Sequence, residues 1–254
     1  MAGDIDVSSY TGNSFDLTSQ DTSVWGIAFN ANGSKMFICG NGTATILEYN
    51  LSVNYDVLTA VYSQSFDVSA QGTSILGLSF NTDGTGMFVS NNTSDNILEY
   101  TLSSGFDLST ASYSQAFSVS SQTANPRDNT FSSDGTKMFV CDAATDAVLI
   151  YTLSTGFNVS TASYSSSFSV TSQDGTMYSV KFNSDGTRMY GVGGTNDSIY
   201  QYNLSTGFDL STATFNSSFS IVGNTNSPSS IAITNIGFAL LSSGGTGGPT
   251  VFQY

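Results

Sequence analysis

The sequence predicts an all-β protein built from five copies of one four-stranded unit, and two observations carry this prediction. First, equivalent residues recur every 51 residues without a slip, as in the series Phe15, Phe66, Phe117, Phe168 and Phe219. Second, each copy contains short runs of β-branched and aromatic residues separated by turn residues, and none has a helical period. Four strands in a repeat of about 50 residues are typical of one propeller blade. We therefore expect a five-bladed β-propeller with four-stranded blades and essentially no helix.

The second copy shows the strand order most clearly. We name its strands A to D from the inside outwards: ILGLSF is strand A, MFVS is B, ILEYTL is C and YSQAFSV is D. The A–B turn NTDGTG contains an Asp-Gly pair, which supplies a residue that tolerates positive φ. The polar B–C loop NNTSDN and the longer C–D connection SSGFDLSTAS complete the unit.

The fifth copy ends after its C strand, at VFQY, and the missing D strand is predicted at the other end of the chain. Residues 9–17, SYTGNSFDL, resemble the other D strands with one residue inserted. We expect this N-terminal strand to complete the last blade, which removes the open sheet edges of an unclosed array. The predicted single domain covers 1–254, with a tail at 1–8, the closing strand at 9–17, and blades at about 18–68, 69–119, 120–170, 171–221 and 222–254.

Residues that repeat with the blades are interpreted as scaffold. The Phe15 series is expected to pack between blades, and the C–D connections are expected to be anchored by Tyr55, Phe106, Phe157 and Phe208. Asp56, Asp107 and Asp209 are interpreted as Asx-turn residues. Glu48 and Glu99 are expected to face solvent, and Cys39 and Cys141 to be buried free thiols, because an intervening blade separates their strands.

Composition excludes several functions. Nineteen acidic side chains against five basic ones give a formal charge of −14, which repels nucleic acid and anionic membranes. The start of the sequence has no basic region followed by an apolar core, so no signal peptide is expected. The apolar stretch at 236–241 is too short to cross a bilayer, so no membrane insertion is expected. The chain has no histidine, which removes the commonest general base and transition-metal ligand.

Three segments resemble two known groups of repeats. SSDGTKMFV at 132–140 and NSDGTRMYG at 183–191 resemble the repeats of YVTN-type, lactonase-like β-propellers. This resemblance implies the propeller fold and, by extension, a metal-dependent hydrolase. The linking pattern STGFDLSTATFNSSF at 205–219 resembles repeats of surface and virion proteins of marine bacteria and their phages, which implies a place on a larger assembly.

The D–A and B–C loops share one face of the predicted disc and diverge between copies, so we interpret that face as the candidate recognition surface. Its candidate ligand-binding residues are Gln20, Trp25, Gln71, Gln122, Arg127, Gln173 and Tyr178. The glutamines occupy equivalent loop positions and could bind a glycan or cap their own loops. Trp25 and Arg127 could hold a sugar, or could pack between blades with Arg127 paired to Asp128. Calcium is kept as an option because the loop from Asp142 to Asp146 supplies oxygen ligands.

The preferred interpretation is a non-enzymatic structural or binding module, displayed on an assembly and in particular a virion, at its capsid or tail. The tail Met1 to Ser8 or one disc face would attach it to a virion or surface-assembly protein. No catalytic residue, metal site or cofactor is predicted. The alternatives are a carbohydrate-binding propeller and a lactonase-like metal-dependent hydrolase.

Overall fold

The computed structural model describes residues 10–225, 227–234, 237–242 and 248–254. Its strands form five four-stranded antiparallel sheets, which we call blades 1 to 5. Blade 1 contains β2 (Val24–Phe29), β3 (Lys35–Gly40), β4 (Thr45–Leu51) and β5 (Ala60–Asp67). Blade 2 contains β6 (Ile75–Phe80), β7 (Gly86–Asn91), β8 (Asn96–Leu102) and β9 (Ala111–Ser118). Blade 3 contains β10 (Pro126–Phe131), β11 (Lys137–Asp142), β12 (Ala147–Leu153) and β13 (Ala162–Ser169). Blade 4 contains β14 (Met177–Phe182), β15 (Arg188–Gly193), β16 (Ser198–Leu204) and β17 (Ala213–Ser220).

Blade 5 is assembled from both ends of the chain. It contains β18 (Pro228–Thr234), β19 (Gly237–Ser242) and β20 (Thr250–Gln253), and β1 (Ser14–Asp16) pairs with β20. The A strands β2, β6, β10, β14 and β18 contact one another in cyclic order, and β18 contacts β2. The protein is therefore a closed β-propeller.

The ladder of the closing strand covers Ser14–Asp16, and backbone hydrogen bonds to the last strand continue on both sides, from Thr11 to Gln253, from Gln253 to Asn13 and from Leu17 to Pro249. The described residues contain no α-helix, as predicted. The C–D connections contain short 3₁₀ helices at Val57–Thr59, Leu108–Thr110, Val159–Thr161 and Leu210–Thr212. Asp56, Asp107 and Asp209 cap three of these helices by accepting a backbone N–H two residues later, which confirms their Asx-turn role.

The repeated aromatic residues join neighbouring blades, as predicted. The ring of each D-strand phenylalanine packs edge-on against the C-strand tyrosine of the next blade, as between Phe66 and Tyr100 at 5.5 Å. Phe15, on the N-terminal strand, packs in the same way on Tyr49 of blade 1 at 5.4 Å. The phenylalanine–tyrosine contact that joins neighbouring blades therefore also joins blade 5 to blade 1 and closes the ring.

The glycine of each A–B turn is required for two reasons. Gly84 has φ +75°, and a Cβ placed on it would lie 2.2 Å from the ring of Phe106. That ring packs on Phe37 of the preceding blade and on Phe80 of its own, which confirms its anchoring role. In blades 1 to 4 the glycine series therefore repeats because an aromatic ring occupies the space of the missing side chain, whereas at Gly237 of blade 5 that space is taken by the backbone oxygen of Tyr254.

The prediction that Glu48 and Glu99 face solvent is wrong. Glu48 is 1% exposed and Glu99 is 9% exposed, because both faces of a blade are covered by its neighbours. The Glu48 carboxylate accepts a hydrogen bond from the Leu108 backbone N–H in the next blade, at 3.3 Å, and pairs with Lys35 at 2.8 Å. These acids therefore fasten one blade to the 3₁₀ helix of the following blade.

Cys39 and Cys141 are buried and free, as predicted. In the part of the chain that the structure describes, no helix has the length and apolarity needed to span a membrane. The predicted tail at 1–8 lies outside the described residues.

Candidate functional site

The A strands surround a central channel, and the residues that line it break the repeat. Equivalent positions carry Gly26, Gly77, Asp128, Ser179 and Ser230, and two residues later Ala28, Ser79, Thr130, Lys181 and Ala232. Structural requirements repeat with the blades, so an acid and a base found at one copy each indicate a local function. Both lie on the facing A strands of blades 3 and 4.

Asp128 and Lys181 form a nearly buried ion pair. The Lys181 Nζ lies 2.7 Å from one Asp128 carboxylate oxygen and 2.9 Å from the other, and the side chains are 12% and 2% exposed. The Ser179 hydroxyl donates to Asp128 at 2.5 Å, and the Asn129 backbone N–H donates to it at 2.9 Å. The carboxylate is therefore satisfied on both oxygens and fixes the ammonium at the channel wall.

A cavity of about 170 Å³ adjoins this ion pair and is lined by residues of all five A strands. Its polar lining includes Lys181, Ser79 and Thr130, while phenylalanines at the A–B turn end supply apolar walls. The Ser79 hydroxyl donates to the buried amide of Asn129, which also donates to Ser90 at 2.9 Å. The cavity thus combines one fixed cation, hydroxyl groups and apolar walls, which are the usual components of a small-molecule site.

Gly77 allows Asp128 to take its position. A Cβ on Gly77 would lie 2.5 Å from the Asp128 Cα and 2.9 Å from a carboxylate oxygen, a distance that real Cβ atoms do not show. Gly77 of blade 2 therefore makes room for Asp128 of blade 3.

The opposite end of the channel holds three of the predicted ligand-binding residues. The Arg127 guanidinium lies 4.9 Å from the ring centroid of Trp25 and 5.2 Å from that of Tyr178. The two rings meet edge to face at 5.8 Å. The alternative in which Arg127 pairs with Asp128 is wrong, because Asp128 is bonded to Lys181 and Ser179 instead.

The predicted glutamines are not gathered around this mouth. The side-chain oxygen of each one accepts a hydrogen bond from the tyrosine that ends the C strand of its own blade. The donors to Gln20, Gln71, Gln122 and Gln173 are Tyr49, Tyr100, Tyr151 and Tyr202, at 3.4, 3.3, 3.3 and 3.0 Å. These contacts fasten each D–A loop to its blade, and a role in ligand binding stays a prediction.

Much of the divergence between the loops of this face is compensated within each blade. In blade 1, Asp21 of the D–A loop accepts from the Thr43 backbone N–H at 2.9 Å. In blade 3 the acid is on the partner segment: Asp142, at the end of strand B, accepts from the Thr123 hydroxyl of the D–A loop. The D–A loop and the B–C loop are therefore linked in both blades, although different loops supply the carboxylate. Sequence divergence alone does not mark a recognition surface. The fifth B–C loop lies mostly outside the described residues.

The described residues do not form a metal site. No group of three or more His, Cys, Asp or Glu side chains in the described ranges is placed to hold an ion. The oxygens of Asp142 accept from Thr123, the Ala144 N–H and Thr145. Calcium binding at Asp142 to Asp146 stays a prediction, and the metal implied by the lactonase-like resemblance does not fit these residues.

The sequence contains a signal for the ion pair. The positions equivalent to Trp25 carry Leu76, Arg127, Tyr178 and Ser229, and the positions one and three residues later carry one acid, Asp128, and one base, Lys181, among the five copies. The short distance between Asp128 and Lys181 could not be predicted from these positions, because it depends on how closely the A strands of blades 2 and 3 approach at Gly77.

The comparisons with known proteins show the fold and no sequence family. No family model matches the chain. No curated protein matches it either. The solved structures that resemble it include a putative 6-phosphogluconolactonase from Bacteroides uniformis, with 18% identity, a TM-score of 0.54, and coverage of 85% of this chain and 62% of that one. A second, from Bacteroides fragilis, has 16% identity, a TM-score of 0.52, and coverage of 81% and 56%. The hydrazine synthase of Kuenenia stuttgartiensis has 14% identity, a TM-score of 0.53, and coverage of 92% and 59%.

These neighbours correct the expected function. The chain spans about three fifths of the length of the neighbours it matches. These three propellers carry the names of enzymes, and none of the three names refers to a virion, capsid or tail. They contradict the expectation of a non-enzymatic virion protein. At identities of 14% to 18%, the likeness itself shows the β-propeller fold.

Proposed function

We propose that the protein is a lactonase-like hydrolase that opens a small cyclic ester in the cavity beside Lys181. The observation that carries this proposal is the Asp128–Lys181 pair, an acid and a base in the central channel that each occur in one of the five copies. The likeness to putative 6-phosphogluconolactonases supports the reaction class.

Lys181 is the group that would touch the substrate. The two Asp128 oxygens and the Asn129 carbonyl, at 3.1 Å, accept from the Lys181 ammonium. An ammonium has three hydrogens, so one becomes available to a ligand when a single hydrogen is shared between the two Asp128 oxygens. Directed at the carbonyl oxygen of a lactone, it would stabilise the negative charge that develops as water attacks the carbonyl carbon. The ring C–O bond then breaks, the leaving oxygen takes the proton lost by water, and a hydroxy acid results.

Asp128 acts as a positioning residue. Its oxygens are occupied by Lys181, Ser179 and the Asn129 N–H, so it holds the ammonium in place and does not take a proton from water. The hydroxyls of Ser79 and Thr130 line the same cavity and can bind the attacking water or substrate hydroxyls. No step requires a metal ion, in agreement with the residues present.

The cavity limits the substrate class. Its volume of about 170 Å³ is below the roughly 300–1,000 Å³ of ordinary ligand pockets, so a single five- or six-membered lactone ring fits better than an oligosaccharide. The substrate class is therefore a monocyclic lactone, with sugar lactones the first to test.

The proposal is tested by turnover of a panel of sugar and aliphatic lactones, corrected for spontaneous hydrolysis, with and without a chelator. We expect Lys181→Met to lower kcat/KM by about 100-fold, the usual effect of removing an oxyanion-stabilising group. Asp128→Asn should lower kcat more than it raises KM, since it disturbs the position of Lys181. Lys137→Met is the matched control, because its ammonium donates to the Phe208 carbonyl away from the cavity. No turnover by the wild-type protein on any lactone, or equal turnover by Lys181→Met, would refute the proposal.

A further inference from the structure

Among the described residues Arg127 has no ion-pair partner, and its Nε is buried without a hydrogen-bond acceptor. The neighbouring acid, Asp128, is held by Lys181 and Ser179. Burial lowers the pKa of Arg127, and the titratable groups that act on it are Tyr178 and Cys141, neither of which is a carboxylate.

The surrounding rings hold the guanidinium in place. Trp25 of blade 1 and Tyr178 of blade 4 both contact it, although Arg127 belongs to blade 3. Tyr178 is itself braced by the B–C loop of its blade, since a Cβ on Gly194 would lie 2.4 Å from its ring. Cation–π contacts compensate the ring-facing sides of a guanidinium but leave its N–H groups without acceptors.

We propose that Arg127, Trp25 and Tyr178 form a binding site for a small oxyanion, a carboxylate or a phosphate group, at the channel end opposite the Lys181 cavity. A guanidinium held flat by aromatic rings presents parallel N–H donors, the geometry that binds such groups in a bidentate manner. A bound oxyanion would supply the acceptors that the protein does not. This site is separate from the proposed hydrolytic site and does not depend on it.

The negative charge of the chain restricts the ligand to a small one. The whole chain carries a formal charge of −14, which repels a nucleic acid or other polyanion. A single carboxylate or phosphate meets less of this repulsion. The loop carboxylates of Asp21, Asp142 and Asp174 are buried and accept hydrogen bonds within their own blades, so they do not pair with Arg127.

The single tryptophan of the chain reports on this site directly, because it contacts Arg127. We would titrate the protein with gluconate and, separately, with inorganic phosphate at constant ionic strength, and follow the fluorescence of Trp25. Neutral glucose is the matched ligand control. We expect saturable binding of at least one oxyanion, no saturable response to glucose, and a response in Lys137→Met that equals the wild type, because that lysine donates to the Phe208 carbonyl.

Two variants separate binding from folding. Arg127→Lys keeps the charge but loses the paired donors, and we expect about tenfold weaker binding, while Arg127→Met should abolish it. Because both substitutions change the environment of Trp25, binding is also measured by calorimetry and by the rise in Tm that a ligand of the folded state produces. Equal affinity of Arg127→Met and wild type, saturation by glucose, or no saturable binding of either oxyanion would overturn the proposal.

Discussion

A double-mutant cycle on Asp128 and Lys181 tests whether the channel pair is an energetically coupled unit. Blade 5 carries Ser230 and Ala232 at the equivalent positions, so Asp128→Ser and Lys181→Ala replace each residue with one that the scaffold already accommodates. Either single substitution leaves one nearly buried charge uncompensated, since the two side chains are 12% and 2% exposed in the pair. Breaking such a pair from one side costs about 3–5 kcal/mol, and the partial exposure of Lys181 favours the lower end of that range.

The double substitution removes both charges together, so it should lower the free energy of unfolding by no more than either single substitution does. The two single effects then exceed the double effect by about 3 kcal/mol, which is the coupling energy of the pair. Equilibrium urea unfolding of the four proteins measures this quantity, with Lys137→Ala as a control for the loss of a lysine. Free energies of unfolding that add to within about 0.5 kcal/mol would refute the reasoning, because residues that do not interact behave additively.

Three further predictions follow from the scaffold. Gly77→Ala should lower both stability and lactone turnover, because the new Cβ would displace Asp128; unfolding and turnover equal to wild type would contradict this. Phe15→Ala and Phe66→Ala should each lower the free energy of unfolding by about 2–4 kcal/mol, since the same ring contact closes the propeller and joins its blades; a negligible effect of Phe15→Ala would argue against closure by the N-terminal strand. Burial raises the pKa of Cys39 and Cys141 and of the C-strand tyrosines Tyr49, Tyr100, Tyr151 and Tyr202. The unfolded chain loses thiol protons above pH ~8.5 and phenol protons above pH ~10, whereas the folded state keeps these protons. The free energy of unfolding measured in urea should therefore fall as the pH rises through this window. A free energy of unfolding that does not change with pH in this window would show that the groups are accessible in the folded protein.

Residues that repeat were the most predictable from the sequence. The Phe15 series, the glycines of the A–B turns and the capping aspartates each recur because every blade has the same neighbours, so one interpretation applies to all copies. Glu48 and Glu99 were misjudged because alternation along a strand indicates a solvent-facing side only when one face of the sheet is free. In a propeller both faces are covered, and a charged residue inside must find a partner in the next blade.

The candidate site was only partly predictable. Arg127 and Trp25 stood out because they break a series, and their contact follows from facing positions in the ring. Asp128 and Lys181 break the repeat equally, but their pairing depends on the close approach of two A strands beside Gly77. The role of the glutamines could not be inferred from their spacing, because their tyrosine partners lie 29 residues further along the chain and on another strand.

We propose that function resides in the channel residues that break the repeat. A crystal structure of the protein with a lactam analogue of the best lactone substrate, which resembles the ester but resists opening, tests this proposal. We expect the analogue in the cavity between the five A strands, with its carbonyl oxygen about 3 Å from the Lys181 ammonium. An analogue bound elsewhere on the disc, with the Lys181 cavity empty, would contradict it.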